Sequence, residues 1–200
     1  SDRYKSNELI IYIEALFTAA GMDADKSAIV APLLVEADLM GHTTHGIAQA
    51  PAYLSGLENS LMKGTGEPLV VADKGATITW DGQRISGVWL TAKAIDLAIE
   101  RAKKYGTATI AIRRSGHIAC LAAFLPRATE KGCMIELASS DPSVVSVAPY
   151  GGTEPAFTPN PIAVGIPTSG NPILVDISAS ITTNGLTGRL FSEGKKLPGD

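Results

Sequence analysis

Apolar residues recur every three or four positions along the first sixty residues, a spacing typical of amphipathic helices. The spacing predicts a first helix from Ser6 to Gly21, a second from Asp25 to Gly41 and a third from Thr43 toward Glu58. Pro32 lies inside the second prediction, where proline costs about 3 kcal/mol, so a kink or a later start is expected. The first third of the chain is therefore predicted to be helical.

The hydrophobic pattern changes after Lys63–Pro68, a Gly- and Pro-containing string that we take as a domain boundary. Short apolar runs then alternate with helical patterns. Strands are predicted over Thr77–Trp80, Thr107–Ile112, Cys133–Ala138, Ile162–Ile166 and Ile173–Val175, and helices over Gly87–Tyr105 and His117–Lys131. This alternation predicts a helical domain over residues 1–66 and an α/β layered domain over 67–200, with a mixed sheet that contains some parallel pairing.

Composition narrows the classes of function. The 200 residues are 45% hydrophobic with a mean hydropathy of +0.15, and only 18% are charged, which favours extensive buried surface or an oligomeric interface. The net charge is −3 without a basic cluster, which disfavours nucleic-acid binding, and no apolar stretch approaches the ~18 residues of a membrane span. Two cysteines without C-x-x-C spacing favour a reducing compartment, so we expect a cytoplasmic protein.

Familiar phosphate-binding motifs do not occur in the chain. No G-x-G-x-x-G follows a predicted strand, and no G-x-x-x-x-G-K-[ST] is found. The sequence therefore does not support a Rossmann or Walker nucleotide site, although a nucleotide bound through other backbone geometry stays open.

His117 is the strongest candidate for acid–base chemistry. It follows a predicted strand and opens a predicted helix, and ligands in open α/β sheets gather beyond the carboxyl ends of strands. At that position the positive end of the helix dipole is expected to keep the imidazole neutral, which suits a general base at pH 7. The alternative is a polar residue that only caps or packs.

His42 and His45 lie three residues apart, on one face if their segment is helical. Together with His117 they are the three histidines that a metal-dependent hydrolase or lyase would use, but zinc needs further ligands and H-x-x-H is a weak signal. More often such histidines cap a helix or donate to a carbonyl. We expect no metal site.

Residues 138–180 interleave Gly, Pro, Ser, Thr and Asn with two short predicted strands. Such backbones aim N–H groups and small hydroxyls at a ligand. Asp176 follows the apolar run ILV, where a carboxylate either accepts hydrogen bonds from ribose hydroxyls or simply ends the strand.

Five strings occur in order along the chain: GHTTHGIAQAPAYLSGL, SGHIACLA, SSDPSVVSVAPYGG, PNPIAVGIP and ILVDISAS. They resemble the malate/L-lactate dehydrogenase family of non-Rossmann NAD(P)-dependent oxidoreductases, which includes ureidoglycolate dehydrogenase, sulfolactate dehydrogenase and diketogulonate reductase. The resemblance implies a homodimer whose subunits pack a helical domain on an unusual α/β NAD(P)-binding domain. Members are longer, so it also implies that a C-terminal segment completes the helical domain.

The resemblance also assigns residues. It implies that His117 transfers the proton, that His45 contacts the substrate, and that Thr44 stands where the family has serine. The remaining assignments place Tyr53, Gln49 and Asn160 at the substrate and Ser140, Asp176, Ile177 and Ser178 at the cofactor, NAD or NADP.

Two positions depart from the family pattern. Gln49 stands where the family has the arginine that pairs with a substrate carboxylate, and Leu186 stands where it has lysine. Loss of a charged bidentate pair, about 1.5–3 kcal/mol, weakens carboxylate binding about 10- to 100-fold. Either another arginine substitutes, or the substrate is not a plain 2-hydroxy acid; the arginines available are Arg113, Arg114 and Arg189.

The leading functional hypothesis is an NAD(P)-dependent dehydrogenase that interconverts a small 2-hydroxy acid and its 2-keto acid, with His117 as general acid and base. A related cyclic-imine substrate is also within the family's range. The alternatives are the metal-dependent hydrolase or lyase and a non-catalytic, nucleotide-binding relative.

Overall fold

The computed structural model describes residues 3–196. Its helices are α1 (Ser6–Ala19), α2 (Ala24–Leu39), α3 (Ala50–Glu58), α4 (Gly87–Tyr105), α5 (Pro126–Thr129) and α6 (Asn184–Ser192). Its strands are β1 (Leu69–Asp73), β2 (Thr77–Asp81), β3 (Thr109–Arg113), β4 (Ile135–Ala138), β5 (Ile162–Ile166) and β6 (Ile173–Ile177). The mixed α/β class predicted from the sequence is confirmed.

The N-terminal helices bury their apolar stripes against α4. Phe17 of α1 and Leu34 of α2 are fully buried in one cluster with Trp89 and Leu90 of α4. Helix α2 continues through Pro32 from Ala24 to Leu39, so the expected later start is wrong, and the expected kink stays a prediction. The buried stripe of α2 offsets the loss of one backbone hydrogen bond at the proline.

The first sheet has the order β1-β2-β3 and is mixed. β1 pairs with β2 antiparallel, whereas β2 pairs with β3 in parallel through the crossover helix α4. The predicted parallel pairing is therefore present. Helix α4 ends at Gly106, as the sequence predicted.

The second sheet has the order β4-β5-β6 and is wholly antiparallel. Ala163 and Gly165 of its central strand are buried against the segment that follows His117. Ala138, Ile162 and Ile177 stand side by side across the three strands. The end of β4, the start of β5 and the end of β6 consequently form one edge, which we call the site edge.

Three elements differ from the sequence predictions. The helix expected over His117–Lys131 is an irregular segment with Ala119 at a φ of 55°, followed by a 3₁₀ turn, Ala122–Phe124, and the short α5. β1 was missed because its run LVVA lacks the alternation of a half-buried strand, and α6 was missed because two glycines interrupt its pattern.

Across residues 3–196, no helix has the length and apolar character needed to cross a membrane.

Candidate active site

His117 lies in contact with Tyr53 of α3. The Tyr53 hydroxyl is 2.8 Å from His117 Nδ1 and 3.4 Å from the His117 carbonyl oxygen, and the Ala119 backbone nitrogen lies 3.4 Å from Nδ1. Within the described residues Nε2 has no hydrogen-bond partner, and the residue keeps an exposed surface although its ring is largely desolvated by the surrounding protein. The ring is therefore held at one nitrogen and open at the other.

The backbone beside His117 is held by a close approach of two glycines. Gly116 donates its N–H to the Ile85 carbonyl at 3.1 Å, and its own carbonyl lies where a side chain on Gly87 would begin. Only glycine at position 87 lets the first turn of α4 approach this closely. The backbone that carries His117 is thus held against the start of α4, the longest of the helices described.

The surroundings of His117 keep its imidazole neutral. Loss of hydration against the protein, and then the neighbouring His45, lower the pKa of His117 to about 4. This corrects the expectation of a helix dipole, because His117 lies in an irregular segment five residues before the 3₁₀ turn. Burial raises the pKa of Tyr53 far above its usual value, so its hydroxyl stays protonated.

His45 and Thr44 belong to a tight loop between α2 and α3. Thr44 Oγ1 is 2.8 Å from His45 Nδ1, and the Gln49 side-chain amide donates to the Thr44 carbonyl at 2.7 Å. The ring of His45 lies 5.9 Å from that of His117, centre to centre. Loss of hydration lowers the pKa of His45, with Asp176 opposing the shift and His42 adding to it.

Asp38 positions this loop, and sequence reasoning missed it. Its carboxylate accepts the Ile47 N–H at 2.7 Å and occupies the space that a side chain on Gly46 would need. The sequence offered two signals for this contact. Asp38 is an acidic residue at the end of an apolar helical stripe, and a glycine, Gly46, directly follows His45. Asp38 therefore caps the short turn that carries Gln49.

The site edge gathers the remaining predicted residues. Ser140 follows β4, Asn160 precedes β5, and Asp176 and Ile177 end β6, with Ser178 next in the chain. Ser140 and Ile177 are exposed, and Ser178 Oγ donates to the Ser180 carbonyl at 3.1 Å. The fold therefore brings these distant residues to one end of the antiparallel sheet.

Asn160 is strained and incompletely bonded. Its φ of 44° lies in the left-handed region, which costs less for asparagine than for most residues. Its side-chain oxygen is buried without a partner within residues 3–196. A buried amide oxygen without a partner fits a ligand donor at this position.

Asp176 connects the site edge to the histidine segment. Its Oδ2 accepts the Ala122 N–H at 2.8 Å, and the Cys120 thiol lies 3.7 Å from the same oxygen. Cys120 is buried, and this burial raises the pKa of its thiol to about 11. The contact of Cys120 with Asp176 was not anticipated from the sequence, because the residues lie 56 positions apart.

The three arginines proposed to replace the family arginine occupy different places. Arg113 and Arg114 both bind Asp81 at the end of the first sheet. Arg189 of α6 donates to Thr43 Oγ1 at 3.0 Å and to the Thr43 carbonyl at 2.9 Å. Of the three, Arg189 is the one bonded to the loop that carries Thr44 and His45.

The three histidines do not meet at one metal position in the part of the chain that the structure describes. The one group there with metal-ligand spacing is His42, Cys120 and Asp176. Two shallow surface depressions of about 270 and 500 Å³ share Arg127 in their lining, and neither is lined by His117.

Comparison with known proteins gives the family. The malate/L-lactate dehydrogenase model matches residues 4–200. The chain belongs to this family. Among its members, the chain is 28% identical over 197 residues to the L-sulfolactate dehydrogenase of Methanothermobacter thermautotrophicus, covering 98% of this chain and 57% of the relative. It is 31% identical over 192 residues to a Δ1-pyrroline-2-carboxylate/Δ1-piperideine-2-carboxylate reductase of Pseudomonas syringae, covering 96% and 55%.

Solved structures agree with the family fold. The malate dehydrogenase of Entamoeba histolytica superposes with a TM-score of 0.92 at 26% identity, covering 98% of this chain and 55% of that one. The chain thus spans little more than half the length of these family members. The predicted family resemblance is confirmed.

Proposed function

We propose that the protein is an NAD(P)-dependent oxidoreductase that interconverts a small 2-hydroxy acid and its 2-keto acid. The observation that carries the proposal is His117, which is neutral, bound through Nδ1 to Tyr53 and open at Nε2. A proton-transfer residue needs this combination of a fixed ring and a free nitrogen.

The residues of the site edge fit a nicotinamide nucleotide. Asp176 and Ser178 offer acceptors for ribose hydroxyls, and the unpartnered oxygen of Asn160, which the family resemblance assigns to the substrate, is suited to a ligand N–H or hydroxyl beside them. Ser140 and Ile177 are exposed beside them. When bound, the cofactor supplies hydride transfer.

The Tyr53 hydroxyl suits both protonation states of His117. As a base, the neutral ring carries its proton on Nδ1, so that Nε2 has a free lone pair; Nδ1–H donates to the Tyr53 oxygen, and the Tyr53 hydroxyl points to the His117 carbonyl. The same two contacts persist when Nε2 takes up a second proton. During oxidation the proton of the substrate hydroxyl passes to Nε2, and during reduction the same proton returns. Tyr53 therefore positions the base in either direction.

The loop after α2 is proposed to hold the substrate. His45 lies next to His117, Thr44 Oγ1 is bonded to His45 Nδ1, and Gln49 is bonded to the Thr44 carbonyl. We assign the substrate carboxylate to Arg189, which is bonded to Thr43 in this loop and replaces the arginine absent at position 49. Relatives named for malate, sulfolactate and pyrroline-2-carboxylate support an acidic substrate.

The proposal extends to organisation. We retain the division into a helical unit, 1–66, and an α/β unit, 67–200. A homodimer is supported by the exposed apolar run of Leu69, Val70 and Val71 on β1, and a cytoplasmic location by two free cysteines. Light scattering of the purified protein tests the dimer.

Replacing His117 by alanine in the full-length protein tests the function. We expect the turnover number to fall at least 100-fold while NADH or NADPH still binds, measured by fluorescence titration. The substrate panel comprises 2-keto acids, diketo acids and cyclic imines with both reduced cofactors. Unchanged turnover in the variant would falsify the role of His117, and tight nucleotide binding by the wild type without any turnover would favour the non-catalytic relative.

The pH profile gives a second test. Because the pKa of His117 is about 4, kcat/KM for oxidation should stay level from pH 8 down to about pH 5 and fall only below it. An acid limb centred near pH 6.5, the value of an ordinary histidine, would contradict the environment described for His117.

A further inference from the structure

Three ligand-type side chains that the proposed mechanism leaves without a catalytic role converge from distant parts of the chain. His42 follows α2, Cys120 lies in the segment before the 3₁₀ turn, and Asp176 belongs to β6. One ring nitrogen, the thiol sulfur and one carboxylate oxygen all lie within 4.8 Å of one another. Cys120 is only 3% exposed, and the other two are half-buried.

The donor set is the one that zinc-class ions take. Imidazole nitrogen, thiolate sulfur and carboxylate oxygen bind Zn²⁺ at about 2.0–2.3 Å, so ligand atoms in a tetrahedral site lie roughly 3.3–3.8 Å apart. The observed spacing has to shrink by about 1 Å, which a side-chain rotation provides. Three protein ligands leave the fourth position to water, as in many open zinc sites.

Asp176 has a free oxygen for this purpose. Both of its hydrogen bonds, from Ala122 N–H and Cys120 S–H, end on Oδ2, and Oδ1 has no partner within residues 3–196. An ion bound there replaces the weak thiol hydrogen bond at 3.7 Å while leaving the stronger backbone bond in place. The contacts that hold the segment are thus compatible with a bound metal.

We propose that His42, Cys120 and Asp176 bind a divalent transition-metal ion of the zinc class. On binding, the Cys120 S–H bond breaks, its proton leaves to solvent, and the thiolate coordinates the ion. The site excludes His45, His117 and Tyr53, and it departs from the expectation that the chain holds no metal. It also differs from the three-histidine set of the hydrolase hypothesis.

A consequence follows if the proposed function is correct. Asp176 is then shared between the metal and the nucleotide, so the ion and the nucleotide compete. The ion would also fasten the His117 segment to β6 through Cys120. We therefore expect Zn²⁺ to inhibit by raising the apparent Kd for NADH or NADPH.

Titration of the purified protein with Co²⁺ tests the site directly. A thiolate-to-cobalt charge-transfer band in the near ultraviolet, saturating at one ion per chain and abolished by Zn²⁺, is expected in the wild type. Cys120→Ser should remove the band, and His42→Gln should weaken Co²⁺ binding at least tenfold. Cys133→Ser is the matched control and should keep the band, because Cys133 lies outside the cluster.

These experiments test the metal site independently of the enzymatic activity. Absence of the band in the wild type, its survival in Cys120→Ser or its loss in Cys133→Ser overturns the proposal whatever the activity. Circular dichroism melts identify a variant that fails to fold. If Cys120→Ser fails to fold, the Co²⁺ affinity of His42→Gln decides whether the proposal holds. Nucleotide titration with and without Zn²⁺ then tests the competition: an unchanged Kd in a protein that shows the band overturns the sharing of Asp176.

Discussion

Two carboxylates, Asp81 and Asp176, each lie near the end of a strand, but they differ in burial and in the hydrogen bonds that they accept. Asp81 is 1% exposed and accepts hydrogen bonds from both Arg113 and Arg114 and from the Gln83 N–H. Asp176 is half-buried, with one backbone donor and a thiol on the same oxygen. A fully compensated carboxylate stabilises a fold, whereas one with a free oxygen remains available to a ligand.

The same contrast holds for the two strand ends as a whole. Around Asp81, the two guanidinium groups and the turn at Gln83 satisfy the buried charge. Around Asp176, Asn160 has an unpartnered buried oxygen and a strained backbone. We therefore regard the end of the first sheet as structural and the site edge as functional.

Exchanging each carboxylate for its amide tests this contrast with the largest expected effect. Asp176→Asn should raise the Kd for NADH or NADPH about 10- to 100-fold, because hydrogen bonds to a charged acceptor contribute roughly 1.5–3 kcal/mol. Asp81→Asn should lower the melting temperature and leave the Kd unchanged. Fluorescence titration gives the Kd and thermal melts give the melting temperature of each variant. A variant in which both quantities change equally would contradict the difference described between the two carboxylates.

Replacing Tyr53 by phenylalanine tests the functional end of this contrast at His117, the proposed proton-transfer residue. Removing the hydroxyl at 2.8 Å from His117 Nδ1 should lower kcat about tenfold with little change in KM, since one positioning hydrogen bond of about 1–1.5 kcal/mol is lost. The acid limb of the pH profile should shift as well. Tyr12→Phe, at an exposed tyrosine of α1, is the control and should behave as wild type.

Arg189→Lys tests the anion-binding role with a smaller effect. Lysine keeps the charge but loses the paired contacts to Thr43, so KM for an acidic substrate should rise a few-fold while kcat holds. Arg101→Lys is the matched control, because Arg101 makes a similar paired contact to Asp73 away from the site. An equal rise in KM in the control would remove Arg189 from the substrate.

The smallest expected effect is a loss of folding stability at acidic pH. Hydrogen bonding from Arg114 lowers the pKa of Asp81 from 3.8 to about 2, so the folded state binds its proton less readily than the unfolded chain. The resulting stabilisation is present above about pH 4 and is lost as pH falls through about 2. Denaturant unfolding between pH 5 and 2 should show this decline in the wild type; the same decline in Asp81→Asn would refute its assignment to Asp81.

Much of the architecture was predictable from local pattern. Helix α4 matches its prediction, Gly87–Tyr105, because nineteen residues of helical period and a terminal glycine agree. The prediction of one helix over His117–Lys131 was wrong for the first part of the range, which is irregular, and only short helical turns form in the second part, where the apolar residues pack on β5. Short apolar runs do not distinguish these conformations.

The sequence by itself determined the family, the helical N-terminal region, the alternation of helices and strands, and the residue types available for chemistry. These follow from short-range periodicity and from ordered motifs. Tertiary structure alone decided which nitrogen of His117 is held, which arginine is bonded to the loop that carries Thr44 and His45, and which carboxylate keeps a free oxygen. Those properties depend on contacts between residues as far apart as 64 positions in the case of Tyr53 and His117 and 146 in the case of Thr43 and Arg189, and no local pattern encodes them.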